Sequence, residues 1–367
     1  MTEDHAYDEE LRRLLERKGP FVSVYLDTHA TTEEGGREIQ LRWRALRQRA
    51  VSEGAREAEL APLDDLLAGI QRSGWGLATF LAEGELVVRR FLPAEIADGV
   101  TYGALPHLVP LLEWRQEHPR FAVVIADRRG AEIHVLGGER SKETISVEGE
   151  RFATKKIKAG GAAHRRIQQA AEETWEANAR EVARELDRLL RTRSVEFVAV
   201  TGDVRAEELV EEALSEQARA VLFELERAPA TSIEDISTEL ERDAAAFSAQ
   251  TTEKLLERFH EGRGQQNLAV EGAHQTLEAL RRSQVDTLLL AADAPARRAW
   301  FAGADLTQSA LEEQALLNIG LEDTGEASLD DVLVRSALGT GAGVRILPSV
   351  PEGHGPREGV GAILRYT

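Results

Sequence analysis

"RFATKKIKAGGAAHRRIQQAAEETW", from Arg151 to Trp175, sets six basic residues around a double glycine and carries no acid before Glu172. The rest of the chain is acidic: 64 Asp and Glu against 45 Lys and Arg give a formal net charge of −19. Glu148 and Glu150 bound the basic window on one side, and Glu172 and Glu173 on the other. Paired glycines let a backbone approach a partner closely and adopt positive φ, and the flanking cations attract phosphate. The bland reading of the same residues is a surface turn kept soluble by lysine. Solubility alone explains the window poorly, because the net charge already supplies it. The residues that follow read as a long helix. Trp175, Ala179, Val182, Leu186 and Leu189 recur at spacings of 4, 3, 4 and 3, which is one apolar stripe.

Working outward, residues before the window read as β-structure. "RFAVVIADRRGAEIHVLGG" is strand, turn at Arg128–Gly130, strand, and a third strand is expected at Thr144–Val147. After the helix, "VEFVAVTGD" is a buried-type strand, and Glu-rich helices follow it. Nearer the start, "FVSVYLDT" alternates as a strand, "GGREIQLRWRALRQRAVSEGA" reads as a helix, and "GWGLATFLAEGELVVRRFLP" reads as a hairpin. The last third reads helix "AVEGAHQTLEALRRSQ", strand "VDTLLLAAD", helix "SLDDVLVRSALGTG", strand "AGVRILP" and final strand "GVGAILRYT". Proline-rich punctuation ending in "EHPR" and the break "HEGRGQQN" divide the chain into 1–117, 118–262 and 263–367. Alternating helices and strands make the class α/β.

Composition bounds the function. With 367 residues and 42% hydrophobic content the chain exceeds one ordinary core. No apolar run reaches membrane-spanning length, and the charged, helical start does not read as a signal peptide. Zero cysteines exclude disulfides, thiolate metal sites and a Cys nucleophile, and fit a cytoplasmic protein. The acidic balance argues against indiscriminate nucleic-acid coating, so no DNA partner is expected. No cofactor or metal is expected: there is no phosphate loop and no G-x-S-x-G, and the nine His lack metal-ligand spacing. "GTGAG" (Gly339–Gly343) follows a helix and precedes a strand, the wrong order for a dinucleotide fingerprint, so it reads as a helix cap and turn. His134 reads as an ordinary strand residue. The five arginines between Arg37 and Arg49 read first as a solvated helix face, with RNA contact as the sharper alternative.

A β-rich segment, a basic Gly-Gly loop and a long amphipathic helix, in that order, resemble the central domain of archaeal and eukaryotic peptide-release factors. There the loop carries Gly-Gly-Gln followed by Ser-x-x-Arg; Gly160, Gly161 and Arg166 match without a gap. "EALRRSQVDTLLLAAD", "ALGTGAGVRILP" and the closing "GVGAILRY" resemble that family's third domain. The likeness is good over residues 118–367, and the first 117 fit in general layout. The chain is similar to the bacterial branch of the archaeo-eukaryotic release-factor/Pelota superfamily, which includes actinobacterial proteins and a ribosome hibernation factor. The resemblance implies three domains: a ribonuclease-H-like middle domain and a C-terminal α/β/α sandwich like a ribosomal protein follow the N-terminal α/β domain. It implies the 70S ribosome as partner, with Lys155, Lys156, Lys158, Gly160, Gly161, Ala162, His164, Arg165 and Arg166 meeting rRNA near the peptidyl-transferase centre and A site. It also implies that the third domain contacts either elongation factor Tu or the ribosomal stalk base.

One departure decides the expected chemistry. Ala162 stands where the family's catalytic Gln stands. A methyl group orients no water, although the backbone N–H remains. No stop-codon-reading Asn-Ile-Lys-Ser motif is present. The expectation is a ribosome-binding factor for hibernation or rescue, without catalytic residues. A peptidyl-tRNA ester hydrolase using backbone groups or His164 is the alternative, and an adaptor that does not touch RNA is the third reading.

Overall fold

A computed structural model of the chain describes residues 3–29, 35–69, 76–139, 142–148, 161–192, 195–225, 232–266, 268–303, 305–349 and 354–366. The chain forms two compact units. One comprises Met1–Ala6 with His118–Ser248, and the other comprises Tyr7–Glu117 with Ala249–Thr367.

In the first third, helix α1 (Glu3–Leu15) leads into strand β1 (Phe21–Asp27), and helices α2 (Gly35–Ser52) and α3 (Glu57–Ala68) follow. Strands β2 (Gly76–Ala82), β3 (Glu85–Leu92) and β4 (Gly99–Gly103) complete an antiparallel sheet of order β3-β2-β1-β4, and helix α4 (Val109–Glu117) closes the segment. One sheet face packs Val22, Val24 and Leu77 against Ile39, Trp43 and Leu63 of α2 and α3. Three of the five α2 arginines serve the fold. Arg42 holds Asp27 at 3.0 Å, Arg47 holds Asp64 at 3.3 Å and Arg49 holds Glu53 at 2.9 Å. These three are engaged within the protein, which favours the structural reading of that helix.

The middle third forms a four-stranded sheet of order β7-β6-β5-β8, from β5 (Phe121–Asp127), β6 (Gly130–Leu136), β7 (Glu143–Glu148) and β8 (Phe197–Gly202). The first three are antiparallel neighbours, and β8 runs parallel to β5. A parallel return needs a crossover, and the 32-residue helix α5 (Gly161–Thr192) supplies it. Gly202 is obligatory where β8 turns into helix α6 (Val204–Ala213): its φ is +134°, and an added Cβ would lie 2.0 Å from the Ala126 carbonyl. The long Glu-rich helix expected after β8 is broken. Ser215 caps a separate short helix, α7 (Glu216–Ala220), with its hydroxyl accepting the Ala218 N–H at 3.1 Å. Helix α8 (Ser237–Glu261) follows.

The final third builds a sheet of order β14-β10-β15-β9 and a small antiparallel one of order β12-β11-β13. Its elements are β9 (Ala269–Glu271), α9 (Ala273–Arg281), β10 (Val285–Ala291), β11 (Arg298–Ala302), β12 (Ser309–Ala310), α10 (Glu313–Leu317), β13 (Thr324–Ser328), α11 (Leu329–Thr340), β14 (Gly343–Leu347) and β15 (Val360–Leu364). The helix expected from Ala269 starts only at Ala273. Ala269–Glu271 instead pair with Gly361–Ile363, and Gly272 turns the chain at φ +85°. Gly341, at φ +64°, caps α11, which makes "GTGAG" a cap and turn. One buried cluster runs through both segments of this unit, joining Tyr25, Phe80, Leu111 and Trp114 to Leu280, Leu288, Val332 and Ile346.

Candidate functional site

The basic window follows β7 and runs into α5 along the chain. Lys155, Lys156, Lys158 and Gly160 lie outside the described residues. Gly161 is the first residue of α5 and Ala162 lies in its first turn; the side chains of His164, Arg165 and Arg166 lie outside the description. What the structure does describe is how the two ends of the window are mounted.

Both ends leave the same end of the sheet. Glu148, the last residue of β7, is paired with Gly130 at the β5–β6 turn. That turn also carries Arg128, whose guanidinium lies 4.7 Å from the centre of the Trp175 ring of α5. Trp175 is half-buried: it packs against the middle core that holds Ala179, Val182, Leu186 and Leu189. The stripe read from the sequence is therefore the buried face, and Trp175 is its boundary residue, with core on one side and a cation over the ring.

Arg128 is fixed from two further directions. It bonds Asp203 at 3.2 Å, and its carbonyl accepts the Asn178 amide at 3.2 Å. Asp203 caps α6 by accepting the Ala206 N–H. Burial opposes ionisation of Asp203, but the Arg128 hydrogen bond and the helix N–H outweigh it and hold its pKa below the usual value. One turn up α5, Glu172 pairs with Arg205 of α6 at 2.7 Å. The sequence reading missed Arg128, Asn178 and Asp203. "DRRG" looked like a turn and nothing more, because only the fold brings residues 128, 175 and 203 together.

Beyond this clamp α5 continues fourteen residues from Trp175 to Gly161, about 21 Å at 1.5 Å per residue. The amide-positive end of a helix therefore meets the basic window. Gln169, one of two glutamines that follow Ala162, bonds Glu173 on its own helix at 3.3 Å. The surroundings are acidic. Glu207 and Glu211 of α6 have raised pKa values, first from burial and then from neighbouring carboxylates. On the other side of the turn, Asp127, Glu132 and Glu148 line an open trough. His134 is buried in β6 and bonds Thr144 at 3.0 Å. Among the described residues, no group of three or more His, Asp or Glu could hold a metal ion.

Residues 120–265, which contain this whole assembly, match the model of the bacterial archaeo-eukaryotic release factor family 2. Over its full length the chain is similar to an uncharacterized protein of Mycobacterium tuberculosis H37Rv, 26% identical over 367 residues and covering 98% of this chain and 96% of that one. Among solved structures it is similar to an archaeal translation termination factor, aRF1 (17% identity, TM-score 0.25, covering 100% of this chain and 99% of that one). It is also similar to Archaeoglobus fulgidus Pelota (13%, 0.31, 98% and 92%) and to S. cerevisiae Dom34 (10%, 0.40, 80% and 80%). These superpositions are loose, and the assignment rests on the family match. Over residues 120–265, the chain is similar to the bacterial branch of the archaeo-eukaryotic release-factor superfamily.

Proposed function

We propose that this protein binds the ribosome and occupies the A site in hibernation or rescue, with α5 carrying the basic window toward rRNA, and that it does not hydrolyse peptidyl-tRNA efficiently. The observation that carries this reading is the start of α5: a clamped helix whose first turn holds Gly161 and Ala162, with alanine at the position of the family's catalytic Gln. The mount favours a rigid reach over an adaptable one, since Arg128, Asn178 and Asp203 fix the helix where it leaves the sheet. An acidic body limits promiscuous contact, and the small cationic window selects an orientation. The C-terminal segment is the proposed docking site for elongation factor Tu, by the family resemblance.

Single-turnover release of peptide from ribosomes carrying peptidyl-tRNA tests the reading, alongside co-sedimentation with 70S particles. Co-sedimentation without release is the expected result. Fast release abolished by His164→Ala would instead make the protein a hydrolase. Absence from the 70S fraction would make it an adaptor that does not contact RNA.

A further inference from the structure

We propose that the turn after α9 is an RNA contact, with arginines taking phosphates and the Tyr366 ring stacking on an unpaired base. It belongs to the unit formed by Tyr7–Glu117 and Ala249–Thr367, so it is separate from the basic window.

Two stretches far apart in the chain, "ALRRSQ" (279–284) and "ILRY" (363–366), meet here. Ser283 turns the chain after α9 at φ +57°, and the N–H groups of Ser283 and Gln284 reach back to the carbonyls of Leu280 and Ala279 at 2.9 and 3.0 Å. β15 delivers the second stretch to that turn. The Arg365 N–H donates to the Gln284 carbonyl at 2.8 Å, and the Tyr366 hydroxyl makes a long contact, 3.5 Å, with the Ser283 carbonyl.

The charge at this turn runs against that of the chain. Arg281, Arg282 and Arg365 are exposed. Glu278 bonds Arg282 at 2.5 Å and stands 4.0 Å from Arg281, so two guanidinium groups share one carboxylate. Beside them Asp286 pairs with Arg258 at 3.2 Å. Four arginines against two acids leave two positive charges, in a chain of net charge −19. Part of this excess serves the fold: Arg365 donates to the carbonyls of Thr340 and Gly341 at the end of α11, and Arg281 and Arg282 sit at the carbonyl end of α9. Two such helix ends carry roughly half a negative charge each, so they offset only about half of the excess.

Residue type then names the partner. All four cations are arginine, whose planar fork matches phosphate. Tyr366 is 52% exposed, beside those cations and fixed through the backbone of its neighbour. An aromatic face in water next to phosphate-binding groups suits an unpaired base. An acidic protein segment would use the cations and leave the ring idle.

The test is anisotropy titration of a labelled RNA stem-loop with unpaired loop adenines, using the full chain carrying Lys155→Ala/Lys156→Ala/Lys158→Ala. That background removes cations of the window, and free RNA replaces the ribosome, so the outcome is independent of the A-site reading. Saturable binding is expected. Arg281→Gln/Arg282→Gln should weaken it about tenfold and flatten its log–log salt slope by about 1.5. Tyr366→Ala should weaken it about tenfold with an unchanged slope, and Tyr366→Phe should bind like the parent, because the ring makes the contact. Melting temperatures should hold in all three. Arg188→Gln/Arg191→Gln, the same charge change on α5, should leave affinity unaltered. Equal weakening in both arginine pairs would mean diffuse attraction and would overturn the proposal. So would the absence of saturable RNA binding, or a Tyr366→Phe variant as weak as Tyr366→Ala. Displacement of the RNA by poly-glutamate as readily as by unlabelled stem-loop would also overturn it, in favour of an acidic protein partner.

Discussion

The side-chain amide of Gln116 pairs with both backbone groups of Ile346: Nε2 donates to the carbonyl at 2.6 Å, and Oε1 accepts the N–H at 2.9 Å. Ile346 lies on β14, the edge strand of the C-terminal sheet, so one α4 side chain stands in for a neighbouring strand at the edge. Gln116→Leu keeps the volume and orphans both groups. It should cost about 1–3 kcal/mol in urea denaturation. Gln116→Glu should cost more at pH 7 than at pH 4.5, because only the protonated acid can donate to that carbonyl.

His107 bonds Asp331 at 2.8 Å, joining the loop before α4 to the start of α11. Burial opposes protonation of His107, but the hydrogen bond and charge of Asp331, with Asp330 behind, prevail and raise its pKa. A raised histidine pKa stabilises the fold fully below the unfolded value near 6.5 and loses that contribution as pH rises through the folded value. Asp330, raised first by burial and then by Asp331, acts in the same direction, since its neutral form is favoured in the fold. His107→Gln should therefore lose stability most at pH 5.5–6 and least above pH 8, measured as melting temperature against pH. A pH-independent difference would refute the linkage.

Arg335 is buried in α11, where its guanidinium donates to the carbonyls of Gly303, Asp305 and Leu306 and lies 5.0 Å from the Phe301 ring centre. Burial drives its pKa down to about 10, with Asp305 only partly compensating. Arg335→Leu leaves three carbonyls unpaired and should cost on the order of 3 kcal/mol. Arg335→Lys should recover only part of this, because an ammonium cannot match a planar fork.

Trp175→Ala removes a ring packed half on the core and half under Arg128. The cost should be about 2–4 kcal/mol, toward the low side of full aromatic truncation. Arg128→Ala should cost less, about 1 kcal/mol, from the lost ring contact and exposed ion pair. Normal melting of Trp175→Ala combined with weakened ribosome binding would reassign the ring to RNA stacking.

Lys155→Ala/Lys156→Ala/Lys158→Ala tests the proposed rRNA contact. Each phosphate contact steepens the log–log salt dependence of binding by roughly 0.7–0.9. Ribosome-binding titrations at several salt concentrations should show weaker affinity and a slope flatter by about 2 for the triple variant, with an unchanged melting temperature. Equal slopes would show a solvated turn.

Much of this was legible in the sequence because local patterns reflect local physics. The stripe from Trp175 to Leu189 gave α5 its register, because a helix must bury one face. Glycine at Gly341 gave the α11 cap, because positive φ excludes most side chains. Ala269–Glu271 were misread as helix because the deciding partner, Gly361–Ile363, is about ninety residues away. The small sheet of β11, β12 and β13 escaped notice for the same reason: short strands carry too little periodicity to show before they pair.

The sequence by itself determined the charge contrast between the basic window and the acidic body, the apolar stripe of α5, and the alanine at position 162. These are properties of composition, spacing and identity, which folding does not alter. Only the tertiary structure decided that Arg128, Trp175 and Asp203 clamp α5, that Gln116 closes the edge at Ile346, and that Arg365 and Tyr366 reach the turn at Ser283 and Gln284. Each of these groupings joins residues far apart in sequence, and side chains that distant meet only when burial of the shared cores brings their strands and helices together.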